Sequence, residues 1–347
     1  MPDHVPALHN GIRKKEKQTK GNVTMKDTLY IGSVGTSSIM ETIQEAIRLT
    51  DGLKGKVIFS RDADRGREFA RLVSVEESLS DYEQMLARED VDIIYIASPN
   101  KYHFPQAKAA LERGKHVIVE KPAAVTEEEV RVLYETAKAN DVFFFEAITT
   151  LFMPNFLAVK QLLPRLGKLR KAWFSFGKYS SKYDAYLRGE NPNIFNPEMQ
   201  AGALNDMGIY CIHAAINLFG KPQSVRYEAQ YGPNGIDLAG TLYLDYPDFT
   251  CELETAKHKD IPCGFLLEGS EGQISGKGHL NEVPDCAAII QAKELAIDHQ
   301  TPANRMIYEM ARFRDAILAK DTAFFEEMAA QSMLAASILE QAHKKVI

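Results

Sequence analysis

The sequence of 347 residues contains only four cysteines and one tryptophan, carries no basic excess and has no long apolar run. The cysteines form no C-x-x-C pair and lack the histidine spacing of a metal site, so neither a metal centre nor a disulfide framework is expected. No stretch approaches the ~20 apolar residues of a membrane span, and a net charge of −6 argues against nucleic-acid binding. So few thiols in a chain of this length predict a cytoplasmic protein.

The composition, 45% hydrophobic and 25% charged, is that of a globular protein long enough for two domains. Residues 1–24 include several basic side chains and no apolar stretch, which predicts a disordered extension. The pattern of apolar residues changes after Ala147. We therefore expect one domain over residues 25–147 and a second over residues 148–347.

Short apolar runs alternate with amphipathic segments through the first predicted domain. Strands are expected at 29–34, 56–59, 93–97, 116–119 and 143–145. Helices are expected between them, and Thr126 with Glu129 forms a capping box that opens the last of these helices. Nearly continuous apolar strands separated by helices predict a doubly wound parallel sheet, the Rossmann architecture.

Strand-like segments follow one another in the second predicted domain. They lie at 172–179, 224–229, 239–245, 250–255 and 264–267. Their turn-rich connections predict a mainly antiparallel sheet, with helices at 202–219, 304–318 and 322–344. The expected fold class is therefore α/β, with a Rossmann domain followed by a second α/β domain.

The first strand leads into Gly35-Thr36-Ser37-Ser38-Ile39 at the start of a helix. A Rossmann fold binds the pyrophosphate of a dinucleotide at this turn, through backbone N–H groups and the helix N-terminus. The match to G-x-G-x-x-G is incomplete, because Ser37 replaces the second glycine and the third is absent. The turn therefore indicates either a dinucleotide site or an ordinary strand–turn–helix joint.

The second strand ends at Ser60 and Arg61. NAD sites usually present an acid here for the ribose 2′-hydroxyl, whereas an arginine accommodates the 2′-phosphate of NADP. The sequence therefore favours NADP as the cofactor. Asp62 keeps NAD open as the alternative, and Arg61 would otherwise be a solvated loop residue.

Polar residues also follow the third of the five expected strands. Ser98, Pro99 and Asn100 come directly after it, and His103 lies three residues further on. Open α/β sheets bind ligands at the carboxyl ends of their strands, so these residues are expected to contact the cofactor. A histidine at this position can equally begin a helix without touching a ligand.

Glu120-Lys121-Pro122 follows the next strand, at the same sheet edge as Gly35 and Ser98. A lysine at this edge can lower the pKa of a neighbouring acid and hold a substrate hydroxyl by charge-assisted hydrogen bonds. We expect Glu120 and Lys121 to contact the cofactor as well. The simpler alternative is a surface lysine in a proline turn.

The helix expected at 202–219 carries Asp206, Tyr210 and His213, spaced four and three residues apart. This spacing predicts that the three side chains share one helix face. An acid, a phenol and an imidazole on one face suit the binding and oxidation of a polyol. The alternative is a polar stripe that faces solvent.

Polar and aromatic loops precede this helix and carry Tyr183, Asp184, Phe195 and Asn196. Such loops would bind a substrate by hydrogen bonding and stacking, or else form an ordinary connection or an oligomer contact. No code for a substrate can be read from them. A sugar, an inositol, a sugar acid and an aromatic diol all stay open.

In order and spacing, these segments resemble the Gfo/Idh/MocA (glucose–fructose oxidoreductase and inositol dehydrogenase) family from residue 25 to the C-terminus, and its bacterial subgroup with a G-T-S turn. The resemblance implies a Rossmann domain, a C-terminal domain with an open sheet, and homodimers or homotetramers formed through that sheet. It also implies that Lys121, Asp206 and Tyr210 surround the reacting hydroxyl. A tyrosine rather than a histidine at position 210 is similar to NADP-preferring branches of the family.

The activity that this resemblance implies is hydride transfer between a nicotinamide cofactor and a hydroxyl or carbonyl group. Tyr210 would exchange the proton, Asp206 would bind a substrate hydroxyl, and Lys121 would lower the pKa of Tyr210 from its ordinary value of about 10. The alternatives are a non-catalytic NAD(P)-binding regulatory module and an NAD-dependent glycosidase. A regulatory module would be free to lose these three residues, and this sequence keeps them.

Overall fold

The computed structural model of the chain describes residues 27–301 and 304–344. The extension predicted for residues 1–24 lies outside these ranges. Two sheets organise the described residues, one of six strands from residues 29–147 and one of eight strands from residues 169–297. Among the helices of the described ranges, none has both the length and the apolar character that a membrane crossing needs.

The first sheet is entirely parallel. Its strands are β1 (Leu29–Val34), β2 (Leu53–Phe59), β3 (Glu77–Leu79), β4 (Ile93–Ile96), β5 (His116–Glu120) and β6 (Phe144–Ala147). They are ordered β3-β2-β1-β4-β5-β6 across the sheet, so the direction of winding reverses between β1 and β4. Such a reversal opens a ligand-binding crevice beyond the carboxyl ends of the strands. The predicted Rossmann architecture is confirmed.

Helices pack against this sheet and bury its central strands, which explains their nearly continuous apolar sequences. They are α1 (Ser38–Leu49), α2 (Ala63–Leu72), α3 (Tyr82–Leu86), α4 (His103–Glu112) and α5 (Glu127–Ala139). The cap predicted before α5 is present, because Thr126 Oγ1 accepts a hydrogen bond from the N–H of Glu129 at 3.2 Å. The sequence did not predict β3 and α3, which span only three and five residues.

The second sheet is mainly antiparallel, as predicted. Its strands are β7 (Leu169–Gly177), β8 (Ser224–Tyr231), β9 (Asp237–Asp245), β10 (Thr250–Ala256), β11 (Gly264–Gly269), β12 (Gly272–Lys277), β13 (Asp285–Ile290) and β14 (Lys293–Ile297). Their order is β14-β13-β12-β11-β7-β10-β9-β8, and the β7–β10 pair is parallel. The last three strands escaped prediction because they are rich in Gly, Ala and charged residues, which have low strand propensity.

Further helices follow β6 in the chain. They are α6 (Pro154–Leu162), α7 (Tyr183–Leu187), α8 (Ile209–Phe219), α9 (Met306–Ala319) and α10 (Thr322–His343). Helix α8 packs against β7 and β10, whereas α9 and α10 return to the first sheet. Phe145 of β6 stacks on Phe313 of α9, with ring centroids 4.7 Å apart. Both sheets therefore share one core, and the segment before α8 lies against the carboxyl edge of the first sheet.

Candidate active site

In the turn after β1, the position of Gly35 has no room for a side chain. Its φ is +116°, and a Cβ atom there would lie 2.7 Å from the carbonyl oxygen of Ala97. Helix α1 then begins at Ser38, and the hydroxyl of its N-cap, Ser37, makes no capping hydrogen bond to the described residues. Ser37 and Ser38 are exposed. Uncapped N–H groups and two hydroxyls at the crevice suit the binding of a phosphate.

Two exposed arginines lie near this turn. Nη2 of Arg65 donates a hydrogen bond to the carbonyl of Thr36 at 3.2 Å. The guanidinium of Arg61 lies 5.3 Å from the ring centre of Tyr102. Sequence reasoning singled out Arg61 but missed Arg65, which lies one helical turn further on in α2. Two guanidinium groups beside a phosphate-binding turn fit the 2′-phosphate of NADP.

Asp62, the residue for which the sequence left NAD as an alternative cofactor, has another role in the structure. Asp62 is the N-cap of α2, and its Oδ1 accepts hydrogen bonds from the N–H groups of Asp64 at 3.0 Å and Arg65 at 3.1 Å. Ser60 is buried, and its N–H donates to the carbonyl of Leu79. The end of β2 therefore presents arginines to the 2′-phosphate of a ribose, while the carboxylate of Asp62 caps α2.

The segment after β4 connects the two halves of the molecule. Nδ2 of Asn100 donates to the carbonyl of Gln200 at 2.8 Å, and the hydroxyl of Ser98 donates to the side chain of Gln106 at 2.6 Å. Ser98, Pro99 and Asn100 are all partly exposed at the sheet edge. Their contact with a cofactor stays a prediction.

His103 lies below this surface. Its side chain is only 1% exposed, and its Nδ1 and Nε2 lie 2.8 Å and 2.7 Å from the carbonyl oxygens of Pro122 and Ser98. Burial lowers its pKa, although both hydrogen bonds oppose this effect. The imidazole joins the loops that follow β4 and β5 at the first residue of α4. The predicted contact with the cofactor is therefore replaced by a structural role.

Lys121 links the first sheet to the segment before α8. Its Nζ donates to both the main-chain oxygen and Oδ1 of Asp206, each at 2.8 Å. The same Nζ lies 4.9 Å from the centre of the Tyr210 ring. The structure thus brings together the three residues that the sequence placed around the reacting group.

A second lysine completes this cluster. Lys257 follows β10 directly, and its Nζ contacts Oδ2 of Asp206. The side chain of Lys257 is 1% exposed, against 12% for Lys121 and 28% for Asp206. Asp206 therefore lies between two ammonium groups. No motif marks Lys257 in the sequence, because one lysine after a strand is too common to single out.

Ion pairing outweighs burial at two members of the cluster. Burial would lower the pKa of Lys121, but the carboxylate of Asp206 raises it above its ordinary value. Burial would likewise raise the pKa of Asp206, but Lys121 and Lys257 hold it well below its usual range. Lys121 and Asp206 are therefore both charged at neutral pH.

Burial decides the protonation state of Tyr210. It raises the pKa of Tyr210 to about 12, and the cation of Lys121 only partly opposes the rise. The expectation that Lys121 brings this pKa below its ordinary value is therefore wrong. Tyr210 is a neutral phenol at neutral pH, with its ring packed against Phe176 at a centroid distance of 5.3 Å. A neutral phenol is ready to donate a proton.

Glu120 lies beneath this cluster rather than at the surface of the crevice. Its side chain is 9% exposed, and its Oε1 accepts a hydrogen bond from the hydroxyl of Tyr95 at 2.8 Å. Burial raises its pKa, although Lys121 opposes the effect. A buried carboxyl that already has a partner supports the edge of β5. Its predicted contact with a cofactor stays a prediction.

The segment before α8 is wound more loosely than predicted. Leu204–Gly208 forms a π-helix, and α8 begins only at Ile209. Asp206 is 28% exposed and contacts two lysines, so its surroundings differ from those of His213. His213 is fully buried, with its Nε2 3.3 Å from the carboxylate of Glu146. The predicted contact of His213 with substrate is therefore wrong, because its ring belongs to the core.

The predicted specificity loops pack against one another. Phe195 is fully buried, with ring centroids 5.5 Å from Tyr183 and 5.1 Å from Tyr186. Asn196 is 7% exposed and accepts a capping hydrogen bond from a short helix. Phe195 and Asn196 therefore stabilise the loop. The predicted substrate contact of the fully buried Phe195 is wrong, and that of Asn196 stays a prediction. Tyr183 and the exposed Asp184 stay candidates.

Comparison with known proteins agrees with this geometry. Residues 29–147 match an oxidoreductase family with an NAD-binding Rossmann fold, and residues 156–275 match the GFO/IDH/MocA C-terminal domain. The chain is 38% identical to the uncharacterized oxidoreductase YgjR of Escherichia coli over 70% of this chain and 74% of YgjR. It is 33% identical to the scyllo-inositol 2-dehydrogenase (NADP(+)) IolU of Bacillus subtilis, over 90% of this chain and 95% of IolU.

The fold also matches solved structures. The crystal structure of KijD10, a 3-ketoreductase from Actinomadura kijaniata in complex with NADP and TDP-benzene, aligns with a TM-score of 0.80 at 20% identity. The alignment covers 91% of this chain and 97% of KijD10. Identity this low shows a shared fold, whereas the two domain matches and the relatives above 30% identity show descent. The chain belongs to the GFO/IDH/MocA oxidoreductase family.

Proposed function

We propose that this protein is an NADP-dependent oxidoreductase that interconverts a hydroxyl group of a sugar or polyol and the corresponding ketone. The observation that supports this best is the cluster of Lys121, Asp206 and Tyr210 at the carboxyl edge of the Rossmann sheet. A cation, an acceptor for a substrate hydroxyl and a neutral phenol are suitable groups around a carbonyl oxygen. IolU, which aligns with almost the whole chain, is named for a reaction of this kind.

The residues at the crevice fit NADP. The N–H groups at the start of α1 and the hydroxyls of Ser37 and Ser38 would bind the pyrophosphate. Arg61 and Arg65 would bind the 2′-phosphate by charge-assisted hydrogen bonds. When bound, the nicotinamide supplies the hydride chemistry. NAD lacks the 2′-phosphate and would not make the contacts with the two arginines.

The side chains of the cluster would handle the proton. Tyr210 is a phenol at neutral pH, the form that donates to a ketone oxygen during reduction. Two hydrogen bonds join Lys121 to Asp206, so one of the three ammonium protons remains for the same substrate oxygen. Asp206 would accept a hydrogen bond from a neighbouring hydroxyl of the substrate. In the oxidation direction, Tyr210 would take the proton as its phenolate.

Titration with NADPH and with NADH, followed by quenching of intrinsic fluorescence, tests the cofactor assignment. The wild type is expected to bind NADPH more tightly. Replacing both Arg61 and Arg65 by alanine removes hydrogen bonds worth roughly 1.5–3 kcal/mol each, so the Kd for NADPH should rise at least about a hundredfold. The Kd for NADH should not change, because neither arginine would contact it.

Arg48→Ala is the matched control, because Arg48 is exposed in the last turn of α1 and its loss changes only the net charge. Equal affinity of the wild type for both cofactors would contradict the role of the arginines. Turnover is then measured with NADP+ and scyllo-inositol, myo-inositol or glucose. Tight NADPH binding without turnover of any polyol would favour the regulatory alternative.

We also propose that the second sheet pairs with a second copy of the chain. Tyr243, Glu252, Trp173 and Leu266 are cross-strand neighbours in one row of this sheet, and all are partly exposed. Residues next to them in sequence, such as Phe174, are buried on the other face. A partly exposed tryptophan and leucine on one sheet face suit a symmetric, self-complementary contact.

Trp173→Glu is expected to convert a wild-type dimer or tetramer to monomers, because the introduced carboxylate would lose its hydration in the interface. Light scattering after size-exclusion chromatography measures the mass. Leu187→Glu is the control, since Leu187 is 63% exposed on α7 and outside this row. A monomeric wild type, or a Trp173→Glu protein of unchanged mass, would contradict the proposal.

A further inference from the structure

Lys257 holds Asp206 from the buried side of the cluster. Its N–H donates to the carbonyl of Leu238 at 2.8 Å, and its carbonyl accepts from the N–H of Ser180 at 2.9 Å. Both bonds fix the backbone at the end of β10. From this position the side chain, 1% exposed, reaches Oδ2 of Asp206. Lys257 is therefore tied in place at its main chain and at its ammonium group.

The two lysines divide the carboxylate between them. Lys121 bonds to Oδ1 and Lys257 to Oδ2, so each oxygen of Asp206 has its own cation. Without Lys257, Lys121 would be the counter-charge for both oxygens. Opposite charges in direct contact attract more strongly in a partly buried site than in water. This attraction would hold the ammonium of Lys121 against both carboxylate oxygens of Asp206 and away from the substrate oxygen.

Burying a second ammonium group also has a cost. Moving an ion from water into a protein interior carries a desolvation penalty, and a well-packed apolar side chain in the same space avoids it. Stability alone therefore gives a poor reason for a lysine at position 257. A function through Asp206 gives a better one, because the ammonium of Lys257 is too deeply buried to contact a substrate itself.

We propose that Lys257 is a positioning residue of the active site. It fixes the orientation and the charge of Asp206, so that Lys121 stays free to bind the substrate oxygen that changes between hydroxyl and carbonyl. This inference rests on the proposed oxidoreductase function. The alternative is a purely structural role, in which Lys257 only stabilises the end of β10.

Lys257→Met tests this role, because methionine fills the space of the lysine stem without its charge. With scyllo-inositol and NADP+, kcat is expected to fall about 10–100-fold, the loss typical of a misplaced reacting group. KM and the Kd for NADPH should change less than threefold (~0.6 kcal/mol). Lys257→Arg restores a cation and should recover most of kcat. Lys259→Met, at an exposed lysine two residues on, should behave as the wild type.

A folded Lys257→Met protein with the kcat of the wild type would overturn the inference. So would a loss of NADPH affinity equal to the loss in kcat, because the fault would then lie in cofactor binding. Crystal structures of the wild type and of Lys257→Met without ligand give a readout that needs no substrate. In the variant, both oxygens of Asp206 are expected to turn toward Lys121, and an unmoved carboxylate would overturn the positioning role.

These readouts separate the two proposals. A wild type that neither binds NADPH nor oxidises scyllo-inositol, myo-inositol or glucose would overturn the oxidoreductase proposal. The orientation of Asp206 in the two crystal structures would still decide the role of Lys257.

Discussion

Tyr210→Phe is expected to lower kcat about 10²–10⁴-fold in both directions of the reaction, the usual effect of removing a positioned acid–base group. Tyr210 is the phenol of the cluster, with Lys121 over its ring and Phe176 packed against it. Phenylalanine keeps this packing and removes only the hydroxyl. The fold and the Kd for NADPH should therefore stay as in the wild type.

The two directions of the reaction should depend on pH differently. Burial holds the pKa of Tyr210 at about 12, so the phenol dominates at neutral pH. Reduction uses the phenol and should be level from about pH 6 to about pH 9, whereas oxidation uses the phenolate and should rise over the same range. The rise with pH should be absent from Tyr210→Phe.

Initial rates in both directions, measured across this pH range for the wild type and Tyr210→Phe, make the comparison. Tyr134→Phe is the matched control, because Tyr134 lies on α5 and packs against Phe325 away from the cluster. Full turnover by Tyr210→Phe would remove Tyr210 from proton transfer. A rate of oxidation that falls with rising pH would contradict the role of the phenolate.

The parts of the fold that could be predicted are those set by local pattern. Nearly continuous apolar strands between helices predicted the parallel sheet. Because Lys121 and Gly35 each follow a strand of this sheet, they were expected at the same carboxyl edge. The pairing of Lys121 with Asp206 spans 85 residues, and the sequence placed both at the same group only through a family resemblance. The distances themselves come from the structure.

The errors about substrate contacts arise where a side chain that local spacing suggests is accessible is buried instead. His213 keeps a helical spacing from Asp206 in sequence, but its ring is fully buried beside Glu146, whereas Asp206 contacts two lysines. Phe195 reads as a loop aromatic open to a substrate, yet it anchors a small core with Tyr183 and Tyr186. The burial of His213 and of Phe195 does not follow from residue spacing, because it depends on what packs against each segment.

Electrostatics at the site could be predicted least. The sequence placed a cation beside Tyr210 and so predicted a lowered pKa, but the desolvation of the phenol is the larger effect. Asp62 could have served a ribose by its place in the chain, and it caps α2 instead. Lys257 adds a second cation from the residue that follows β10 of the other sheet. The opposing effects of burial and neighbouring charges depend on three-dimensional surroundings that cannot be derived from a single sequence.

Asp206→Asn is expected to destabilise the protein by about 3–5 kcal/mol, the usual cost of removing one partner from a buried ion pair. Asparagine has the shape of the aspartate but no charge, so Lys121 and Lys257 would remain close together without a counter-ion. Urea unfolding at neutral pH measures the loss. Asp248→Asn, in an exposed pair with Lys168, is the control and should change stability by less than about 1 kcal/mol.

The stabilisation by Asp206 should depend on pH with a definite sign. Lys121 and Lys257 hold the pKa of Asp206 below the value of about 3.9 that an unfolded chain has. The stabilisation is therefore complete above that value and is lost as the pH falls through the pKa of the folded protein. The difference between the wild type and Asp206→Asn should be largest near neutral pH and should shrink in acid. A difference that grows in acid would contradict the ion pairing.

Combining Asp206→Asn with Lys257→Met separates the charge of the cluster from its packing. In Asp206→Asn, the ammonium of Lys257 is buried without a partner, and Lys257→Met removes that charge. The double variant should therefore be more stable than Asp206→Asn alone, although it carries one more substitution in the core. Its kcat should stay low, because the acceptor for the substrate hydroxyl is still missing. A double variant less stable than Asp206→Asn would mean that the Lys257 stem, rather than its charge, supports this part of the protein.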